Sequence, residues 1–163
     1  MIKKIKSMVG RSLLNYYKQK KQKSLNTSLD HSLKTARSML KKAKYCFLIT
    51  NSRRDWPSAR MVQPIIELDT FVVWIGTNPT LRKISEIKKN PNVTLAFGDE
   101  REDANLIIYG KASIVDDSHE SRKHWINSGF LFFPDSPEGD EFVLIRIEPA
   151  EMELMNFKKK YCT

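Results

Sequence analysis

The sequence predicts a mainly β fold with flanking helices, an antiparallel and Greek-key-like barrel in one domain. Three observations point there. Short β-rich apolar runs follow one another with few helical patterns between them, which favours antiparallel pairing over a doubly wound sheet. The chain has 163 residues, one domain's length and enough to bury a core without staples. Apolar residues make up 40% and charged residues 29%, the balance of a soluble globular chain.

The elements follow in order. Ile2, Ile5, Val9, Leu13 and Tyr16 recur at helical spacing among lysines, so residues 1–27 read as a basic helical extension. Asn26, Thr27 or Ser28 can cap the next helix, with Asp30 in its first turn. Leu29, Leu33, Ala36, Leu40 and Ala43 form its apolar face, opening a domain over 28–163. Residues 45–50 read as a buried strand, 51–57 as a polar turn and 58–66 as one strand. Residues 71–75 form the next strand. A helix over 80–89 stops at Asn90-Pro91, because the residue before proline disfavours helix. Strands are expected over 92–98 and 105–115, then a helix over 118–128 ended by Gly129. Residues 130–141 read as a loop, followed by two strands, 142–147 and 151–156.

The net charge of +9 is unevenly placed. Residues 1–44 carry 13 Lys/Arg against Asp30, or +12, and the remainder carries −3. The body therefore has no basic excess, and specific nucleic-acid binding is not expected of it. The arm is either an amphipathic helix touching an anionic membrane surface or, the favoured reading, a helix packed on its own body or on a second subunit. In the alternative to an enzyme, the barrel would act as a non-catalytic cofactor-binding or sensor module that the arm recruits to membrane or nucleic acid. Lysine outnumbers arginine seven to one in residues 1–24, unlike a transit peptide. No apolar run has the length of a membrane span. Cys46 and Cys162 make neither a disulfide framework nor a metal site, which points to a reducing, cytoplasmic compartment.

Two basic features stand out. Arg60 interrupts an apolar strand, and a charge there must be paired or must face a ligand. Paired, its partner would be Glu67 or Asp99. Arg82 and Lys83 open a helix just after Thr77 at the end of the next strand. Helix N-termini favour phosphate, and guanidinium, ammonium and hydroxyl groups all donate to it. Together these residues predict a site for a phosphorylated cofactor.

The segments CFLIT (46–50), SARMVQPI (58–65), FVVWIGTNPTLRKISEIKKNPNVTLAF (71–97), LIIYGKA (106–112) and FVLIRIEP (142–149) carry a resemblance in their order. Over about 28–156 the chain resembles the pyridoxamine 5′-phosphate oxidase-like flavoproteins, the FMN-binding split barrels. The run SGFLFFPDSPEGDEFVLIRI (128–147) is similar to their general-stress-protein branch. The resemblance implies a homodimer with FMN at the subunit interface and oxidoreductase activity. It implies a nicotinamide or other small-molecule electron donor. Arg60, Thr77, Arg82 and Lys83 would then hold the phosphate. Met61, Val62, Gln63, Pro64 and Ile65 would border the isoalloxazine, and Asn105 would approach its pyrimidine edge. True pyridoxamine phosphate oxidases keep a substrate lysine where this chain has Ile65, and a C-terminal Arg-x-His-type motif that is missing here. Vitamin B6 oxidation is therefore not implied. Deazaflavin F420 and haem binders share the fold, so those cofactors stay open.

The remaining candidates are ordinary by spacing. His119 and His124 are five residues apart and do not share a helix face. No cluster has metal-ligand spacing, and no metal is expected. Trp125, Phe130, Phe132 and Phe133 could wall a flavin pocket or sit in a core or interface.

Overall fold

The computed structural model describes residues 29–51, 56–125, 133, 139–158 and 161–162. The predicted extension over 1–27 lies outside them. Helix α1 spans Leu29–Lys42 and buries Ala36, Met39 and Leu40 on one face. Strands β1 (Cys46–Asn51) and β2 (Pro57–Val62) form a hairpin in which Leu48 faces Arg60 and Thr50 faces Ser58. A short β3 (Ile65–Ile66) pairs with β4 (Val73–Thr77). Then come α2 (Arg82–Lys89), β5 (Asn92–Asp99), β6 (Ala104–Val115), α3 (Ser118–Lys123), β7 (Val143–Asn156) and β8 (Tyr161–Cys162). All pairings are antiparallel, in the order β2-β1-β5-β6-β7-β4-β3, with β8 on β7.

The expected single strand over 58–66 is two strands. Gln63-Pro64 separates them, and they lie at opposite ends of the strand order. Proline cannot donate to a ladder, so the pairing stops there and the chain changes partner. The sheet curls until its two ends meet at this step, which makes a half-barrel. Inside it pack Leu48, Ile75, Leu95, Leu106, Ile108 and Ile147, each 2% exposed or less. A smaller cluster of Val72, Trp74, Phe142 and Leu144 covers the opposite face of β4 and β7.

Three further boundaries differ from expectation for physical reasons. The strand expected at Phe71 begins at Val73, because Phe71 has φ 60° and closes a turn in which its N–H donates to Glu67 O. The helix expected over 118–128 ends at Lys123; Asp117 caps its start, accepting from the N–H groups of His119 and Glu120. The two strands expected over 142–147 and 151–156 are one. The β6–β7 register shifts between Tyr109 and Gly110, where Gly110 faces Pro149 and Tyr109 faces Glu151. Ala150 is the extra residue of this bulge, so Pro149-Ala150 bends the strand without ending it. Among the described residues no helix is long and apolar enough to cross a membrane.

Gly110 makes the bulge possible. A Cβ there would stand 2.5 Å from the Glu148 carbonyl oxygen, which is backbone and cannot swing away. Gly110→Ala should therefore cost about 1–3 kcal/mol, as overpacking does, measured by urea unfolding. Gly98→Ala is the control: its Cβ would meet nothing within 4 Å, and stability should hold.

Candidate functional site

Helix α2 lies against β1, and its inward side carries Ile84 and Ile87 together with one carboxylate, Glu86. A carboxylate is buried only when paired and hydrogen-bonded. Glu86 is: Thr50 Oγ1 donates to its Oε2 at 2.6 Å and Arg60 Nη2 at 2.9 Å. Arg60 Nη1 also donates to Thr50 Oγ1 at 2.6 Å, closing a triangle. On the other oxygen, Arg82 Nε stands 3.1 Å from Oε1, and Arg82 Nη2 donates to Ser58 Oγ at 2.7 Å. One buried carboxylate thus tethers both guanidiniums. Neither expected partner of Arg60 is used. Glu67 instead accepts from Trp74 Nε1 at 2.8 Å and from Thr70 Oγ1, and Asp99 accepts from the N–H groups of Arg101 and Glu102.

Lys83 completes the basic group. Its amine is half-buried, and desolvation together with the Arg60 charge holds its pKa below the ordinary lysine value. Two cations pair with Glu86 and Lys83 stands near Arg60, so the four side chains together sum to +2. That is a donor set for a polyvalent anion.

Lys83 also reaches a cleft of about 380 Å³, within the range of small-molecule sites. One wall is Met61, Val62, Gln63 and Ile65, where β2 passes into β3. A second is Ile75, Gly76, Thr77 and Leu81. His124, Trp125, Phe133 and Phe142 form an aromatic third wall, and Tyr45 stands at the edge. Trp125 and Phe133 each meet Phe142 edge-to-face at 5.1 Å between centroids. His124 stacks on Trp74 at 4.1 Å, with Nε2 3.2 Å from Glu120 Oε2.

Of the residues singled out in the sequence, Met61, Val62, Gln63, Ile65, Thr77 and Lys83 line this cleft together. Arg60 and Arg82 are joined to each other through Glu86 beside it. Pro64 is buried at the strand break. Asn105 is exposed in β6 opposite Gly98, away from the cleft walls. Phe130 and Phe132 lie outside the described residues. Glu86, Thr50, His124 and Phe142 are additions from the structure. The available signal for Glu86 was a lone acid in a lysine-rich helix, four residues after Arg82. Among the described residues no three His, Cys, Asp or Glu gather as a metal site. Burial pushes the Cys46 thiol up to about 12, so it is an inert core group.

Two substitutions separate the buried from the exposed part of the network. Thr50→Val leaves Glu86 one donor short and should cost about 1–3 kcal/mol in chemical unfolding. Arg82→Ala breaks a pair whose arginine side chain is 72% exposed and should cost under about 1 kcal/mol. His124 predicts an acid limb. Desolvation, only partly offset by Glu120, keeps its pKa below 6.5. Between the folded pKa and 6.5 the unfolded chain binds more protons, so stability falls as pH drops through that window. His124→Phe should flatten this limb in pH-dependent thermal unfolding.

Comparison with known proteins agrees with this architecture. The family described as pyridoxamine 5′-phosphate oxidase like matches residues 31–161. General stress protein 26 of Bacillus subtilis (strain 168) is 30% identical over 95 residues, which cover 56% of this chain and 67% of that protein. The crystal structure of General Stress Protein 26 from Bacillus anthracis is 28% identical, with a TM-score of 0.66 over 77% of this chain and 94% of that one. A pyridoxamine 5′-phosphate oxidase-related, FMN-binding protein of Nostoc punctiforme shares the fold at 17% identity, with a TM-score of 0.61 over 82% of this chain and 87% of that one. With a match across most of its length and the half-barrel that goes with it, the chain belongs to the pyridoxamine 5′-phosphate oxidase-like family.

Proposed function

We propose that this protein binds FMN in the cleft, as a homodimer, and serves as a flavin-dependent oxidoreductase. The observation that carries the reading is the +2 cluster of Arg60, Arg82, Lys83 and Glu86 at a cleft otherwise walled by apolar and aromatic groups. The cluster suits a phosphate, and the walls suit a flat ring system. The crowding that depresses Lys83 is what an anion would relieve. The FMN-binding relative from Nostoc punctiforme supports the same choice. When bound, FMN would supply the redox chemistry; the chain's part is to hold the phosphate, orient the ring and exclude water.

An exposed apolar face supports the dimer. Met61, Phe47, Ala96 and Ile107 form one cross-strand row on the outside of β2, β1, β5 and β6. Phe47 is 51% and Met61 63% exposed, and such a patch marks an interface. Met61 and Tyr45 belong both to exposed surface and to the cleft, so a partner covering this face would close the cleft. Asn105 points to the same side as Ile107, two residues along β6, and would meet a flavin only across that interface.

A purified sample should be yellow or turn so with FMN; a colourless protein after FMN addition and desalting would sink the proposal. Lys83→Gln should weaken FMN about 10- to 100-fold, the worth of a charge-assisted hydrogen bond, and leave riboflavin affinity unchanged. Equal loss for both ligands would put the phosphate elsewhere. The advantage of FMN over riboflavin should also shrink as pH rises toward 10.5, because Lys83 loses its proton below that value. Fluorescence titrations across pH read both effects.

A further inference from the structure

The cleft has one titratable group that the binding of FMN leaves unused. His124 lies in the aromatic wall with its side chain 7% exposed. Its ring stacks on Trp74, with 4.1 Å between centroids. Trp74 is fixed in turn, since its indole N–H donates to Glu67 Oε1 at 2.8 Å. Stacking sets the plane of the imidazole, and Glu120 sets its direction: Nε2 stands 3.2 Å from Glu120 Oε2. An imidazole oriented by a carboxylate is an arrangement that proton-transfer sites share. With Nε2 committed to Glu120, Nδ1 is the nitrogen left to exchange a proton with anything bound in the cleft.

Glu120 also faces water. Its side chain is 28% exposed, and its Oε1 stands 3.7 Å from Nδ1 of His119, which is 85% exposed. The two histidines share no helix face, yet His124 sits at the C-cap with φ −103°, so one carboxylate reaches both. A line of titratable groups thus runs from solvent to the wall of the cleft. Burial is the largest influence on His124 and disfavours its charged form. Glu120 and Glu67 favour that form, and Lys123, 3.6 Å from Glu120 Oε2, opposes it. From β7, Arg146 lies over the Trp74 ring and is paired with Glu148, and Lys83 lines the cleft itself. A negative charge added in the cleft would shift this balance toward the imidazolium.

Reduction of a flavin adds such a charge. A hydride donor passes on two electrons and one hydrogen, so the cofactor gains one negative charge unless a further proton enters. We propose that His124 takes up that proton from water by way of Glu120 and holds it at the cleft wall, as the acid/base group of the site. Charge and atoms balance: a hydride arrives on the cofactor and a proton on the imidazole. Both leave when a substrate is reduced, the hydride to the substrate and the imidazolium proton to the oxygen or nitrogen that becomes basic. The inference rests on the FMN reading and deepens it to a substrate class: acceptors whose reduction takes a hydride and a proton together. Glu120 acts through His124 and is a positioning residue.

The test uses the full chain loaded with FMN. The chain has three histidines, so NMR titration of the imidazole C–H signals, assigned with His31→Gln and His119→Gln, identifies His124 by elimination. The His124 pKa should rise by about 1 or more when the FMN is reduced with dithionite, a tenfold gain in proton affinity, while His31 holds still. Glu120→Gln should lower the His124 pKa in both redox states, because that carboxylate favours the charged form. His124→Gln should take up one proton fewer per electron pair in the pH window between the two His124 pKa values. Its midpoint potential should then fall less steeply with pH there, by tenfold in the equilibrium constant per pH unit, or about 30 mV. The wild-type titration decides the question even where His124→Gln does not fold. A His124 pKa that is the same with oxidised and reduced FMN overturns the proposal, and so does a Glu120→Gln variant in which it keeps the wild-type value. A chain that takes up no FMN overturns the cofactor reading together with this one, which tells the two failures apart.

Discussion

The Glu86 carboxylate is the contact on which the site's geometry depends. An isolated carboxylate at that depth would be strongly unfavourable, and only Arg60 and Thr50 make it tolerable. The converse also holds. Arg60 sits in a strand, and without Glu86 its charge would have to find solvent. The two residues therefore fix each other, and in doing so they fix α2 against the β1–β2 hairpin. Arg82 is tied to the same carboxylate from the solvent side. A buried pair of this kind adds little net stability over an apolar replacement. Its effect is positional: two guanidiniums are held at one end of a cleft before anything enters it.

The second constraint is the break at Gln63-Pro64. It sends one continuous piece of chain from one end of the sheet order to the other. Because β2 and β3 pair with different partners, the backbone between them crosses the open side of the half-barrel. The cleft wall of Met61, Val62, Gln63 and Ile65 is that crossing. Backbone that is not consumed by a ladder is free to meet a ligand, which is why sites gather at such interruptions. The anion cluster and the crossing are joined through β2, with Arg60 and Met61 consecutive in it.

The fold class was legible in the sequence because strands succeed one another with few helices, and local patterning reports that directly. Arg60 was legible as a residue needing a partner, since a lone charge in an apolar strand has few explanations. Its partner was not. Glu86 lies in Lys-Ile-Ser-Glu-Ile-Lys-Lys, which reads as an ordinary solvated helix, and the helix face it occupies depends on how α2 docks. Long-range register is invisible to a local pattern for the same reason. Pro64 looked like a tolerated residue in one strand, yet it separates two ladders. Pro149-Ala150 looked like a turn between two strands, yet a bulge opposite Gly110 absorbs it. The two prolines have opposite outcomes because only the second has a glycine across the ladder to admit the close approach.

The aromatic wall shows how the two halves of the site differ in kind. The basic end is rigid through charge: short hydrogen bonds converge on one carboxylate. The other end is held by ring packing, with Phe142 meeting Trp125 and Phe133 and with Trp74 stacked on His124. Trp74 is itself anchored, since its indole N–H donates to Glu67, and Arg146 stands over its ring. Ring contacts are short-ranged and carry no net charge, so this wall meets an occupant by shape where the basic end meets it by charge. Ile65 joins the two walls: it lines the cleft where β3 begins and packs against the cluster that holds Trp74 and Phe142.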